Sequence, residues 1–356
     1  MVKKLIYPAL TISVFLAVNH WLTDWFPSGY RNTMEVKRRH ILDHGKEYDT
    51  LFLGSSRVCY GLDPATFDQA MKKAGGQTRS FNLAMDGVRH YEAIYLLEKL
   101  LENHRVPALK RVVLEVQRSG PFKIRDQNLF NARMVTWHDR ARTRNVIRDM
   151  AVSDLKPTEF MYHSYVHVLH FGHRLSNLGK ARIGFQDWLE RKDRQTPTPK
   201  QIQNGLGPAG QGFASLDLVG NKKNREKYQA EPEEHQKVVD WIKVWHKRDM
   251  SRYGQLPLEA IEANQREDWL ELDRLLKSHG IELILVVPPI MSPAPYVMKP
   301  LMQQDQIPYF IFNDPENYPE LYQMDHRFDR AHLSEKGAEL WTALLVEKIL
   351  AGEAAP

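Results

Sequence analysis

Hydrophobic and polar positions follow a strand-and-helix rhythm in two separate stretches of the chain. Apolar runs predict strands at 48–53, 80–83, 111–116, 281–287 and 309–312. Helical spacing of apolar residues predicts a helix over 91–101, between the second and third strands, and another over 269–280, directly before the fourth. Because strands that alternate with helices form parallel sheets covered on both faces, the pattern predicts an α/β fold assembled from two sequence-distant halves.

The residues between the two halves are more polar and lack the strand rhythm. Over 121–264 they predict a mainly helical insertion, with a loop rich in proline, glycine and glutamine at 196–212. Such insertions commonly form a substrate wall or lid. The predicted organisation is an N-terminal membrane anchor over 1–26, the first half of the α/β domain over 27–120, the insertion, and the second half over 265–356.

The N-terminal segment has the pattern of a membrane anchor. After the basic Lys3 and Lys4, residues Leu5 to Leu22 are nearly all apolar, which is just long enough to cross a bilayer. Bulky Trp21 and Trp25 stand where a signal peptide would carry small residues for cleavage, so an uncleaved anchor is favoured over a cleaved signal peptide. Positive residues before the span place the N-terminus in the cytoplasm. We therefore expect a single-pass protein of the bacterial inner membrane, with its main domain in the periplasm or outside.

Composition narrows the possible functions. The chain has 356 residues, of which 42% are hydrophobic, enough for one large domain or two modest ones. Cys59 is the only cysteine, which excludes an intrachain disulfide and a cysteine-based zinc site. The formal net charge of +5 comes from basic residues interspersed with acidic ones, so we expect no nucleic-acid partner. The basic balance fits proximity to anionic lipid or polysaccharide.

Two short motifs at opposite ends of the chain carry the candidate chemistry. Gly54-Ser55-Ser56 follows the first predicted strand, and Asp329-Arg330-Ala331-His332 precedes the last helix, for which Ser334 is the predicted N-cap. A serine hydroxyl becomes an effective nucleophile when an imidazole takes its proton and a carboxylate orients that imidazole. The motifs supply these three groups. His138 is an alternative site histidine.

These residues resemble the SGNH, or GDSL, hydrolase superfamily over about 47–120 and 265–350. The resemblance implies a three-layer α/β/α sandwich with a parallel, flavodoxin-like sheet. It also implies Ser56 as the nucleophile, with His332 and Asp329 completing the triad. The segment 82–87 is similar to the family's second block, which implies that the Gly87 N–H donates to the oxyanion. The acylation mechanism adds the Ser56 N–H as a second donor. We expect neither a metal nor another cofactor.

The family's third block is not matched. Where the family has Gly-x-Asn-Asp after its third strand, this chain has Gln117-Arg118-Ser119-Gly120. The asparagine donor to the oxyanion is therefore missing. Ser119, Arg118 and Gln117 are all candidates to replace it.

An anchor, the Gly-Ser-Ser turn and a lost third block make the chain similar to membrane-anchored SGNH-like O-acyltransferases of bacterial surface polymers, including those of alginate acetylation and teichoic acid D-alanylation. This implies a polysaccharide acceptor and an acyl donor delivered by a membrane-bound acyltransferase. A carbohydrate or lipid esterase is the first alternative. A catalytically decayed, polysaccharide-binding assembly protein is the second.

The insertion contains two further groups of interest. Four histidines with helical spacing share one broad face: His163, His167, His170 and His173. We prefer an amphipathic helix to a metal site, because no carboxylate or cysteine lies at matching positions. Four tryptophans are candidate sugar platforms or core residues, with the core favoured: Trp137, Trp188, Trp241 and Trp245.

Overall fold

The chain divides into two compact units. The computed structural model describes residues 2–25, 33–117, 120, 122–124, 129, 132–176, 197–251, 260–292 and 306–352. One unit, here called the sheet unit, comprises 32–119 and 198–356. The other, the helical unit, comprises 1–31 and 120–197. The segment 121–264, predicted as one insertion, is thus divided between the two units.

A five-stranded sheet forms the centre of the sheet unit. Its strands are β1 (Thr50–Leu53), β2 (Ser80–Asn82), β3 (Arg111–Glu115), β4 (Glu282–Val287) and β5 (Tyr309–Ile311). All neighbouring pairs are parallel, and the spatial order is β2-β1-β3-β4-β5. This is the flavodoxin-like order, so the predicted α/β fold and sheet type are confirmed.

Helices make up most of the remaining described structure. In chain order they are α1 (Val2–Trp25), α2 (Thr33–His44), α3 (Ser56–Cys59), α4 (Pro64–Lys73), α5 (His90–Glu102), α6 (Ala132–Trp137), α7 (Arg140–Ala151), α8 (Pro157–Ser176), α9 (Pro199–Leu206), α10 (Leu216–Val219), α11 (Lys222–Gln229), α12 (Pro232–Ser251), α13 (Ala260–Ser278) and α14 (Glu335–Leu350). Short 3₁₀ helices cover Gly45–Glu47, Pro319–Tyr322 and Met324–His326.

Alternation of side chains along the strands creates two cores, one on each face of the sheet. Leu51 and Leu53 of β1 join one core, to which α5 and α13 contribute Leu97 and Trp269. Phe52 lies between them in sequence and faces the other core, where α4 and α14 contribute their own apolar residues, among them Trp341. Successive side chains of a strand point to opposite faces, so helices must cover both. The predicted three-layer α/β/α arrangement is confirmed.

The strand order reverses direction at β1, which lies between β2 and β3. In open parallel sheets ligands bind outside the carboxyl ends of the strands at such a reversal. β1 and β3 are in register there, with Leu53 opposite Leu114. The residues directly after these two strands therefore border the crevice in which chemistry is expected.

The predicted membrane anchor coincides with α1, the first helix of the helical unit. Among the residues that the structure describes, no helix combines the length and the apolar character needed to cross a membrane. Polar residues such as Thr11 and Asn19 lie within α1 and lower its mean hydropathy.

Candidate active site

The first motif forms a tight connection between β1 and α3. Ser55 is the N-cap of this single-turn helix, and its hydroxyl accepts a hydrogen bond from the Arg57 N–H at 3.4 Å. Ser56 is the first helical residue. The strand end and the cap thus fix the backbone on both sides of the predicted nucleophile.

A buried carboxylate lies beneath this turn. Glu115, the last residue of β3, is 0% exposed. Its Oε2 accepts the Ser55 N–H at 2.5 Å and its Oε1 accepts the Ser55 hydroxyl at 3.0 Å. The Nε of Arg57 lies 2.8 Å from Oε1 and supplies the opposite charge that a buried carboxylate needs. A Cβ at Gly54 would lie 2.6 Å from Oε2, so only glycine fits above the carboxylate.

Neither Glu115 nor the role of Arg57 was predicted from the sequence. The available indication was an acidic residue at the end of the apolar strand 111–116, because Glu is almost never fully buried without a partner. Its partners could not be identified, since they belong to the end of a neighbouring strand.

The structure brings the two distant motifs together. Ser56 Oγ lies 2.9 Å from His332 Nε2. On the other side of the ring, His332 Nδ1 lies 3.0 Å from Oδ1 and 3.1 Å from Oδ2 of Asp329. The three side chains thus form a continuous relay in which Asp329 favours the tautomer with hydrogen on Nδ1, leaving Nε2 free to accept the serine proton.

Asp329 is held in its ionised form. Burial raises the pKa of this carboxyl, but the hydrogen bond and charge of His332, together with the backbone N–H groups of Ala331 and His332, lower it below the usual value overall. A permanently charged carboxylate stabilises the imidazolium that forms when His332 takes a proton.

A buried arginine stabilises the loop that carries Asp329 and His332. Arg327 is fully buried, and its guanidinium donates to the carbonyl oxygens of Pro289 at 2.5 Å and Arg330 at 2.9 Å. Ser334 caps α14 by accepting the Gly337 N–H at 3.3 Å, as predicted. His332 therefore stands on a short loop closed at both ends.

The second block reaches the same edge of the sheet. The amide of Asn82 donates to the carbonyls of Val58 at 2.9 Å and Leu62 at 2.7 Å, and its oxygen accepts the Ala84 N–H at 3.0 Å. Asn82 is 0% exposed. It thereby ties the end of β2 to the segment that follows the nucleophile.

Gly87 lies farther along this loop, with a φ of 64° that favours glycine. Tyr60 connects the loop to the relay, because its hydroxyl donates to Asp86 at 2.9 Å and its ring lies edge-on to His332, with 6.1 Å between centroids. Within the described part of the chain, the N–H groups of Ser56 and Gly87 have no hydrogen-bond acceptor. Both therefore stay predicted donors to an oxyanion.

The segment 117–120 contains two described residues, Gln117 and Gly120. Gln117 is buried, and its side-chain amide donates to the Val88 carbonyl at 2.7 Å. Arg118 and Ser119 lie outside the described residues, so Ser119 as an oxyanion donor stays a prediction.

The alternative histidine, His138, belongs to the helical unit. Its Nε2 lies 2.8 Å from His167 Nδ1, and all three of His138, His167 and His170 are 0% exposed. His167 and His170 each use Nε2 on a backbone carbonyl, that of Phe122 at 2.9 Å and Leu129 at 2.6 Å. Burial lowers the pKa of His167 to about 4. His138 and His167 thus share a buried hydrogen bond, and the His170 ring lies edge-on to His138 with 4.8 Å between centroids.

The predicted tryptophans occupy different environments. Trp137 is fully buried, and Trp245 packs against the core under α5 and α13. Trp241 is 51% exposed, so the four-residue spacing on α12 does not mark a core-facing stripe at this position. Trp188 lies outside the described residues.

No protein-family model matches the chain, and no curated protein matches it significantly. The resemblance to the SGNH superfamily therefore stays a prediction. Chemically, the site offers a hydroxyl, a base and an orienting carboxylate at the carboxyl edge of a parallel sheet, and the Ser56 and Gly87 N–H groups stay predicted oxyanion donors.

Proposed function

We propose that this protein is a serine-dependent acyltransferase that transfers an acyl or acetyl group, through an acyl-enzyme on Ser56, to a cell-surface or exported polysaccharide. The observation that carries the proposal is the relay from Ser56 through His332 to Asp329. Ser56 and His332 are 276 positions apart in the sequence, yet Ser56 Oγ lies 2.9 Å from His332 Nε2. An intact relay supports an enzyme over a decayed binding protein.

The acylation step follows from the positions of these atoms. His332 Nε2 takes the Ser56 proton as Oγ bonds to the carbonyl carbon of an ester donor, and the resulting oxyanion faces the N–H groups of Ser56 and Gly87. The carbon–oxygen bond to the leaving alcohol then breaks, and this alcohol takes the proton from His332. Ser56 is left carrying the acyl group.

In the second step an acceptor hydroxyl gives its proton to His332 and attacks the acyl carbon. Ser56 leaves and recovers the proton. A sugar hydroxyl in this role makes the protein a transferase, and water makes it an esterase.

The esterase is the second candidate. The observation that favours it is solvent access, because the His332 and Asp329 side chains are 21% and 36% exposed. Water can therefore approach the base from the open side of the site.

The proposed location is the bacterial inner membrane, with the sheet unit in the periplasm or outside. It rests on the basic start and apolar stretch of the sequence, together with the exposed apolar side chains of α1, such as Leu10 at 60% and Trp21 at 56%. A membrane-bound acyltransferase would deliver the acyl group, and no nucleic acid or cofactor takes part. Membrane fractionation of the full chain tests this location.

Mass spectrometry of the full chain tests the activity. Purified protein would be incubated with p-nitrophenyl acetate and an oligosaccharide, then mapped for acetylated peptides, free acetate and acetylated glycan. We expect one acetyl group on Ser56, none on Ser56→Ala, and acetyl transfer to the glycan. The adjacent Ser55→Ala is the matched control and should still be acetylated at Ser56. Equal acetylation of Ser56→Ala would disprove the proposal, and release only as free acetate would favour the esterase.

A further inference from the structure

We propose that Arg57 supplies the third hydrogen-bond donor to the oxyanion, through the terminal nitrogens of its guanidinium group. This inference rests on the proposed function, because it assigns a further catalytic residue to the same acylation step. Three donors match the three lone pairs of a tetrahedral alkoxide oxygen, and the backbone N–H groups of Ser56 and Gly87 account for two.

The position of Arg57 is fixed by its Nε. This atom lies 2.8 Å from Glu115 Oε1 and 3.2 Å from Ser55 Oγ, so the guanidinium folds back against the nucleophile turn instead of extending into solvent. Glu115 ends β3 and Ser55 follows β1, and these strands are neighbours in the sheet. The guanidinium therefore lies over the crevice between the two strand ends, next to Ser56 in sequence.

The rest of the guanidinium is available. Among the described residues, its two terminal nitrogens have no hydrogen-bond acceptor. The Arg57 side chain is 25% exposed, so these donors face accessible space. Because the guanidinium is planar and rigid, holding Nε also fixes the direction of the four remaining N–H bonds. Donors positioned before the reaction stabilise an oxyanion without reorganisation.

Because Glu115 is buried beside it, Arg57 is better suited to a charge that develops during the reaction than to a permanently anionic substrate group. Glu115 is 0% exposed and carries a negative charge that Arg57 compensates, so the pair has no net charge. A permanently anionic substrate group would be attracted by Arg57 but repelled by Glu115 at close range. Hydrogen bonds from the Arg57 N–H groups to the charge that develops on a carbonyl oxygen still stabilise that charge beside the neutral pair.

The competing role is charge compensation alone. In that case Arg57 only neutralises Glu115, and its replacement slows the reaction because a buried carboxylate is left unpaired and the Ser55 turn moves. A double substitution separates the two roles. In Arg57→Ala/Glu115→Gln no buried charge remains, and the glutamine oxygen can still accept the Ser55 N–H.

The experiment measures single-turnover acetylation of Ser56 in the full chain, with p-nitrophenyl acetate as the donor and circular dichroism and thermal unfolding as checks of folding. The variants are Arg57→Ala, Arg57→Lys, Glu115→Gln and the double variant. We expect Arg57→Ala and the double variant to acetylate about 100-fold more slowly than wild type at saturating donor, with the half-saturating concentration changed less than about threefold. Guanidinium ion at millimolar concentration should partly restore Arg57→Ala, whereas sodium chloride should not.

Three results would overturn the assignment. These are acetylation of a folded Arg57→Ala within about threefold of wild type, recovery of the wild-type rate in the double variant, and loss of the rate only through weaker donor binding. If Arg57→Ala does not fold, the double variant and the Arg57→Lys variant still decide the question. Wild-type protein that never acetylates Ser56 would instead reject the proposed function, and this inference with it.

Discussion

Replacing Gly54 with alanine should destabilise the sheet unit and slow acylation together. The new Cβ would lie 2.6 Å from Glu115 Oε2, 2.7 Å from Glu115 Cβ and 2.9 Å from a methyl carbon of Val58. The Glu115 Cβ is attached directly to the backbone of a central strand and cannot turn away. The methyl group can therefore be accommodated only if the turn rises from the strand end.

The cost has two parts. Overpacking a tight core site costs about 1–3 kcal/mol, and breaking the buried hydrogen bond from Ser55 N–H to Glu115 adds about 1–3 kcal/mol. We expect the free energy of unfolding to fall by about 2–6 kcal/mol, which lowers the Tm by about 4–24 °C in a unit of this size. Because the same shift displaces Ser56 from His332, the acylation rate should fall by at least about tenfold.

Thermal unfolding and the burst of p-nitrophenol on mixing with p-nitrophenyl acetate measure both effects. Gly172→Ala is the matched control, because a Cβ on this residue of α8 would meet no atom of the described residues within 4 Å. This control should keep the wild-type rate and gain up to about 1 kcal/mol of helix stability. A Gly54→Ala variant with wild-type Tm and burst rate would refute the steric argument.

Three other substitutions or conditions test separate parts of the structure. Asp329→Asn should lower the acylation rate by about 10³–10⁴-fold with little change in Tm, because an amide can hold His332 in the wrong tautomer; a rate within tenfold of wild type, measured by the same burst, would contradict this. Asn82→Ala should lower the free energy of unfolding in urea by about 2–4 kcal/mol, because several buried carbonyl groups lose their donor; an unchanged urea midpoint would contradict this. Burial lowers the pKa of His167 to about 4, against 6.5 in the unfolded chain. Because the unfolded state then binds the proton more tightly, the free energy of unfolding should fall as the pH drops from about 6.5 to 4. The total decrease should be about 3 kcal/mol. His167→Asn should reduce that dependence in urea unfolding at matched pH values, and an unchanged dependence would exclude this histidine as its source.

The sheet and the relay could be predicted because each depends on a local sequence pattern. A strand covered on both faces must be apolar at every position, as 51–53 and 283–287 are, and such runs stand out. The Gly-Ser-Ser turn and the Asp-x-x-His loop are also local, since tight turns and a helix N-cap set their conformations.

Other features depend on contacts between distant residues, so no local sequence pattern predicts them. The function of Glu115 follows from the adjacency of β1 and β3, which no local pattern encodes. The same holds for the return of the chain after residue 198 to the sheet unit, where the Asn82 N–H donates to the Gln211 carbonyl at 2.9 Å and Ser215 Oγ donates to Glu335 at 3.3 Å. Composition alone made that segment look like part of one insertion.

For the proposed enzyme, transfer and hydrolysis differ in the acceptor hydroxyl and not in the catalytic residues. His332 can take a proton from either hydroxyl, and its side chain is 21% exposed, so water can reach the acyl-enzyme. Water is present at far higher concentration than any polysaccharide hydroxyl, and chemical reactivity separates the two only slightly. A bound and oriented hydroxyl, however, can reach an effective molarity of about 10⁵ M or more, far above that of water. A transferase therefore needs a surface beside Ser56 that holds the sugar in place. The rate at which the glycan removes the acetyl group from Ser56 should then saturate with glycan concentration, whereas an esterase whose acyl-enzyme meets sugar only by collision would show a rate that rises linearly.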